Sequence, residues 1–185
     1  MRYPFFPLVS SSFLIVSCAA PAANEAAGLR DRTPVAGAKA AEQVSPEELQ
    51  FLVGSWRITV REPGASDVTV VNYKVEPAPG GKWLTGNAGS ADLSIRAKDS
   101  WGIDPGSGQI LRFIFDSSGA YGLVWSQGWK GDQLVLEGEA MSEGGPTKVR
   151  ETITRRGPDR FDVVWEALQD GEWTPYSLEQ AQRQS

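Results

Sequence analysis

The segment Val149-Arg150-Glu151-Thr152-Ile153 places two charged residues among apolar ones, and a charge buried there without a partner would cost several kcal/mol. Strand alternation allows two parities. If the apolar residues set the inward face, Glu151 points in and favours a cation or a hydroxyl. If a bulge flips the strand, Arg150 and Thr152 point in and Arg150 favours an anionic head group. Carboxylates are also the acid–base repertoire of the chain, with Glu151 and Asp92 as candidates and Tyr73 or Tyr121 as helpers, although spacing places no pair. There is no histidine and a single cysteine, Cys18. Their scarcity removes the commonest general base and the commonest zinc and haem ligand, along with disulfides, CxxC redox motifs and Ser–His–Asp or Cys–His machinery. Neither a phosphate-cradling loop nor a dinucleotide fingerprint appears, and glycine-rich Gly102 to Gly108 is a turn built on Asp104-Pro105-Gly106. The expectation is a protein that is not an enzyme, with no cofactor and no metal site. Nucleic acid is excluded as a partner by charge, since 18 Lys and Arg face 23 Asp and Glu.

The elements that would position these residues are strands. Turn chemistry occurs at Pro63-Gly64, Pro79-Gly80-Gly81, Gly89-Ser90, Asp104-Pro105-Gly106, Ser117-Ser118-Gly119, Gly131-Asp132, Gly144-Gly145-Pro146, Gly157-Pro158-Asp159 and Asp170-Gly171. Nine turns imply about ten strands, spaced like consecutive hairpins. Trp56-Arg57-Ile58-Thr59-Val60-Arg61 and Arg160 to Glu166 alternate apolar with polar, so one face is buried. A meander of this kind closes into a barrel or packs as a sandwich. Closure also removes exposed edges, so the barrel is expected. Its interior would hold Trp56, Ile58, Val60, Leu111, Phe113, Phe115, Leu123, Trp125, Leu134, Leu136, Phe161, Val163 and Trp165. Most of these fill a core, but a ten-stranded barrel encloses enough volume for a ligand cavity. Phe113, Trp125 and Trp165, with Arg150 or Glu151, are the ligand-binding candidates. Arg112 and Asp116 fall on the opposite face from Phe113 and read as a solvated pair. Before the strands, Ser45-Pro46-Glu47-Glu48 is a capped helix start, and Leu49, Phe51 and Leu52 give that short helix an apolar edge with which to plug the barrel.

Residues 1–17 read as a secretory signal: one positive charge, then a twelve-residue apolar stretch from Phe5 to Val16, too short to span a bilayer. Ile15-Val16-Ser17-Cys18 resembles the bacterial lipobox, which makes Cys18 the expected site of lipid attachment, with ordinary signal cleavage as the alternative. Residues 18–44, rich in Ala, Pro and Gly, form a disordered tether, and residues 45–185 the barrel. Ala19 follows the cysteine in place of the inner-membrane retention aspartate. The expected location is therefore the periplasmic side of the envelope, anchored at the outer membrane by lipid alone.

Gly54-Ser55-Trp56, preceded by a short helix, resembles the Gly-x-Trp opening of the calycins, among them the lipocalins and fatty-acid-binding proteins. Gly102-Ile103-Asp104-Pro105, Gly131-Asp132-Gln133-Leu134-Val135-Leu136-Glu137-Gly138, Arg150-Glu151-Thr152 and Asp170-Gly171-Glu172-Trp173 resemble a bacterial calycin-like family, domain of unknown function 1579, over residues 47–183. The resemblance implies an all-β, up-and-down barrel. It also implies a structural latch, because in lipocalins the opening tryptophan packs under a late arginine, here Trp56 and Arg183. A haem-binding branch uses a proximal histidine that this chain lacks. The expected function is an envelope lipoprotein, a monomer, whose barrel binds or carries a small, largely apolar ligand without chemistry. The alternatives are an envelope scaffold with a filled barrel, and a cofactor-free isomerase or cyclase using carboxylates.

Overall fold

The computed structural model describes residues 44–185. The signal, Cys18 and the tether up to residue 43 lie outside the described residues. Val44, assigned by sequence to the tether, belongs to the fold, since it is buried and packs into the core.

A 3-10 helix, Pro46–Leu52, is capped by Ser45 with Glu48 closing a capping box, and it buries Leu49 and Leu52. Strands follow: β1 (Gly54–Arg61), β2 (Thr69–Pro77), β3 (Trp83–Ser90), β4 (Arg96–Ile103), β5 (Ile110–Asp116), β6 (Tyr121–Ser126), β7 (Trp129–Lys130), β8 (Gln133–Ser142), β9 (Gly145–Arg155), β10 (Arg160–Gln169) and β11 (Glu172–Arg183). Each wall strand pairs antiparallel with the next, β6 pairs with β8, and β1 pairs with β11. Two-residue β7 only extends the edge of β8. The result is the closed, ten-stranded, up-and-down barrel with a plug helix, and the sandwich alternative falls. The β6–β8 pairing depends on Gly138, where a Cβ would lie 2.0 Å from the Leu123 carbonyl oxygen. The turns sit where turn chemistry puts them, except that Gly89 and Ser90 end β3 and the chain reverses over residues 91–95.

Up-and-down order gives the barrel two unlike ends. The plug helix and the connections at 78–82, 104–109, 127–132 and 156–159 form the floor. The connections at 62–68, 91–95, 117–120, 143–144 and 170–171 form the mouth. At the floor, Phe51 of the plug meets Trp56, Trp129 and Phe161 with ring centroids 5.7 to 5.9 Å apart. Trp56 Nε1 donates to the Leu52 carbonyl at 2.8 Å and Trp129 Nε1 to the Glu48 carbonyl at 3.0 Å. The Arg183 guanidinium lies 4.1 Å from the Trp56 ring and donates to the Val53 and Phe51 carbonyls at 2.6 and 3.0 Å. It therefore ties the last strand to the plug as well as to the first.

Parity on β5 and β6 differs from the expectation. Phe113 and Phe115 are exposed on the outside, and Leu111, Leu123 and Trp125 share that outer face, while Ile110, Arg112, Ile114 and Asp116 point in. The cause lies across the strands. Residues directly opposed in an antiparallel pair share a face, and Arg112 is opposed to Trp101, which is buried and faces inward on β4. One reversed strand then sets the next, because Phe113 pairs with Leu123 and Leu111 with Trp125. Phe113 packs on Phe115 and Tyr121 on the outer surface, at centroid distances of 5.7 and 6.3 Å.

Candidate ligand site

Several inward positions on the mouth side are small. Ala88, Ala97, Gly122 and Ala140 stand there, whereas the floor side carries Trp56, Leu84, Trp101, Ile110, Leu134 and Phe161. The small residues leave space. One cavity of about 50 Å³ is lined by Ile58, Val60, Val71, Tyr73, Ala88, Ile95, Ala97, Asp99, Arg112, Ile114, Trp165 and Glu179, with exposed Lys98 at its edge. A second, of about 40 Å³, lies among Ile114, Asp116, Ala120, Tyr121, Gly122, Val124, Ala140, Val149, Trp165 and Tyr176. Ile114 and Trp165 wall both. Tyr176 reaches this space through a bulge, because Ser177 opposes Trp165 while Pro175 opposes Glu166, leaving Tyr176 as the extra residue.

Across the middle of the barrel runs a buried ionic belt. Arg112 from β5 donates to Asp99 of β4 at 2.6 and 3.0 Å and also to Glu151 of β9. Its guanidinium stacks 4.4 Å from the Trp101 ring and 5.6 Å from that of Trp165. Tyr73 donates its hydroxyl proton to Asp99 at 2.8 Å and accepts from Trp101 Nε1 at 3.1 Å. Gly86 makes room for this arrangement, since a Cβ there would come within 1.9 Å of Asp99 Oδ1 and 2.6 Å of the Tyr73 ring. Burial works against the Arg112 charge, but Glu151 and Asp99 carry its pKa well above the ordinary arginine value. Burial and then Asp99 hold the Tyr73 hydroxyl protonated.

Asp99 of β4 and Glu179 of β11 are buried acids that sequence reasoning missed. Burial first, then the neighbouring Glu151 charge, pushes the Glu179 carboxyl up to about 7, with Arg112, Trp165 and Ser177 pulling the other way. The ionisable groups around it are Asp99, Arg112, Glu151, Tyr73 and Tyr176, with the exposed Lys98 at the edge of the same cavity. The flanking strands β1 and β10 offer only apolar side chains, Ile58, Val60, Val163 and Trp165. Asp99 Oδ1, Glu151 Oε2 and Glu179 Oε1 are buried without a hydrogen-bond partner among the described residues. For Glu179 the signal was present: counting back from Arg183 by twos gives Ala181, Glu179 and Ser177 on the inward face.

Of the residues singled out by sequence, Glu151 and Trp165 reach the interior and meet Arg112 there. Phe113 and Trp125 do not. Phe113 is on the outer wall, and Trp125 lines an outer groove with Gln109, Val135 and Glu137. Arg150 also points outward, held by Glu166 at 2.7 Å and stacked 4.6 Å from the Trp173 ring, so it offers the interior no anion site. The reading of Arg112 as half of a solvated pair is corrected as well, because it is the central cation of the barrel. Asp92 sits in the β3–β4 turn, where Ser90 first and then Ser94 hold its carboxyl down at about 2 by hydrogen bonding. That is turn capping rather than acid–base work.

No protein-family model matches the chain, so the resemblance to domain of unknown function 1579 has no family match behind it. No curated protein matches it either. Among solved structures it is similar to a redesigned β-barrel, at 17% identity over 75% of this chain and 96% of the other, TM-score 0.38. It is also similar to a redesigned barrel bound to DFHBI, at 18% identity, 74% and 98% coverage and TM-score 0.36. A Nostoc punctiforme protein of the DUF3598 family is similar at 13% identity over 77% of this chain and half of that one, TM-score 0.40. Identities and scores of this size transfer no residue role.

Proposed function

We propose that the barrel binds a small, largely apolar ligand through its mouth and releases it unchanged. We further propose that it does so as a monomer tethered by lipidated Cys18 on the periplasmic side of the envelope. The observation that carries the binding reading is the fall in side-chain size along the barrel axis. Large residues fill the floor, and Ala88, Ala97, Gly122 and Ala140 leave paired cavities at the mouth. Each cavity exceeds the roughly 10–15 Å³ that one water needs. A ligand of more than a few atoms joins the two by displacing the Ile114 and Trp165 side chains between them. The apolar lining with a few inward polar groups is the usual composition of a small-molecule site.

Titration of the protein with 1-naphthol, followed by tryptophan fluorescence, tests this reading. Saturable binding is expected, weakened at least about tenfold by Ala97→Leu, which fills the first cavity. No saturable signal, together with purified protein carrying no cargo by native mass spectrometry, would favour the scaffold alternative. A second reading, proton-transfer catalysis, is favoured by one observation: a buried carboxyl titrating near 7 suits a general acid or base. Turnover of a bound compound, lost in Glu179→Gln, would establish it. The envelope address is tested separately by mass spectrometry of the native N-terminus, where acylated Cys18 is expected and an unmodified residue beyond it would remove the lipoprotein assignment.

A further inference from the structure

The mouth-side interior holds more acid than base. Asp99, Glu151 and Glu179 are each at least nine-tenths buried, and the single guanidinium among them, Arg112, binds the first two. Glu179 has no ion pair among the described residues, and its Oε1 meets no donor in hydrogen-bonding geometry there, although the Trp165 indole and the Ser177 hydroxyl lie close enough to pull its pKa down. Glu179 lines the first cavity directly, together with Asp99 and Trp165. A buried acceptor without a donor costs free energy in the empty protein, and a ligand that brings the donor recovers it. An anionic ligand would meet three carboxylates and find Arg112 already occupied, leaving it only the exposed Lys98 at the cavity edge. An inorganic cation is poorly served, because no three acidic groups among the described residues converge as metal ligands.

We infer that the ligand is a small organic cation: an ammonium group on a compact apolar body, with the ammonium donating to Glu179 and the body lying against Ile58, Ile95, Ile114 and Trp165. This assignment rests on the binding reading above and narrows it to a chemical class. The field of Asp99 and Glu151, only partly offset by Arg112, favours positive charge at the same point. Recognition depends on an ionised Glu179, so affinity for the cation rises as pH climbs through the range near 7 in which that carboxyl titrates.

The test compares three near-isosteric compounds on the full-length protein at pH 8 by calorimetry: phenethylamine, 2-phenylethanol and phenylacetate. The amine is expected to bind about tenfold tighter than the alcohol, with the acid weakest, as charge-assisted hydrogen bonding requires. In Glu179→Gln, an isosteric change, the amine's advantage should shrink to within about threefold while the alcohol is unaffected. At pH 5 the unaltered protein should behave like that variant. Alcohol or acid binding as tightly as the amine would overturn the cation assignment and leave the binding reading intact. An advantage that survives Glu179→Gln would overturn the role given to Glu179. Failure of all three compounds to bind would overturn the binding reading and this inference with it.

Discussion

The floor and the mouth of this barrel are made from the same strands and differ in what those strands carry inward. At the floor, four aromatic rings, Leu52 and the Arg183 and Arg155 guanidinium groups pack into one another, with Arg155 lying 3.5 Å from the Trp129 ring. Most polar groups there donate to a plug carbonyl or stack on a ring, although Arg155 Nε is buried without a hydrogen-bond partner among the described residues. Toward the mouth, small residues leave cavities, and beneath them Asp99, Glu151 and Glu179 each keep one buried carboxylate oxygen without a donor in hydrogen-bonding geometry among the described residues. One end is organised for stability and the other is left incomplete. The comparison teaches that a closed β-barrel can be filled at one end and left with cavities toward the other, with an ionic belt between. Arg112 is the hinge of that division, because it neutralises two acids and leaves the third to whatever enters.

The largest effect should come from the belt itself. Arg112→Met leaves Asp99 and Glu151 buried without their cation, and a loss of roughly 3 to 5 kcal/mol in denaturant unfolding is expected. Adding Asp99→Asn and Glu151→Gln should restore most of it. If Arg112→Met costs less than 1 kcal/mol on that scale, the belt is not the coupled unit described.

Glu179→Gln should act with the opposite sign. Its carboxyl titrates near 4.5 when unfolded and at about 7 in the native barrel. Below the lower value both states hold the proton and titration adds no penalty. Between the two values only the native state keeps the proton, so stability falls as pH rises, reaching a penalty of about 3 kcal/mol above 7. The variant should therefore be more stable than the parent at pH 8 and nearly equal to it at pH 4. Equal stability at both would mean that Glu179 is not buried as described.

Arg183→Ala tests the floor. It removes the contact with Trp56 and two hydrogen bonds to the plug, and should lower stability by about 1 to 3 kcal/mol without changing ligand uptake. Unaltered melting would count against a latch at that position. The smallest effect is expected on the outer wall, where Phe113→Ala and Asp162→Ala should leave ligand affinity unchanged in the naphthol titration. Weakened binding by either would move the site from the mouth to the outside of the barrel.

Strand number was legible because turn residues act locally, each Pro-Gly or Asp-Gly pair specifying its own reversal, whereas closure rests on the non-local β1–β11 pairing and was reached only from the removal of exposed edges. The parity of β1 and β10 was legible for a similar reason, since Arg57, Thr59 and Arg61, or Asp162 and Glu166, leave only one apolar face. On β5 the segment Ile110-Leu111-Arg112-Phe113-Ile114-Phe115 is apolar on both faces, so no count along the strand decides which is inside. The deciding contacts are non-local, Trp101 opposite Arg112 and Glu151 across the barrel. Arginine reads as surface until its two carboxylates are known. Glu151 was found by its apolar neighbours, and Glu179 was hidden by polar ones, Gln180 and Gln182, though the spacing from Arg183 pointed to it.

Methyl chemical shifts compare the two ends in one experiment. With isoleucine methyls labelled, phenethylamine should move Ile58, Ile95 and Ile114 at the mouth in a saturable way, while Ile110 and Ile153 near the floor stay in place. Shifts confined to the floor, or spread evenly over all five, would contradict the division between a structural end and a binding end.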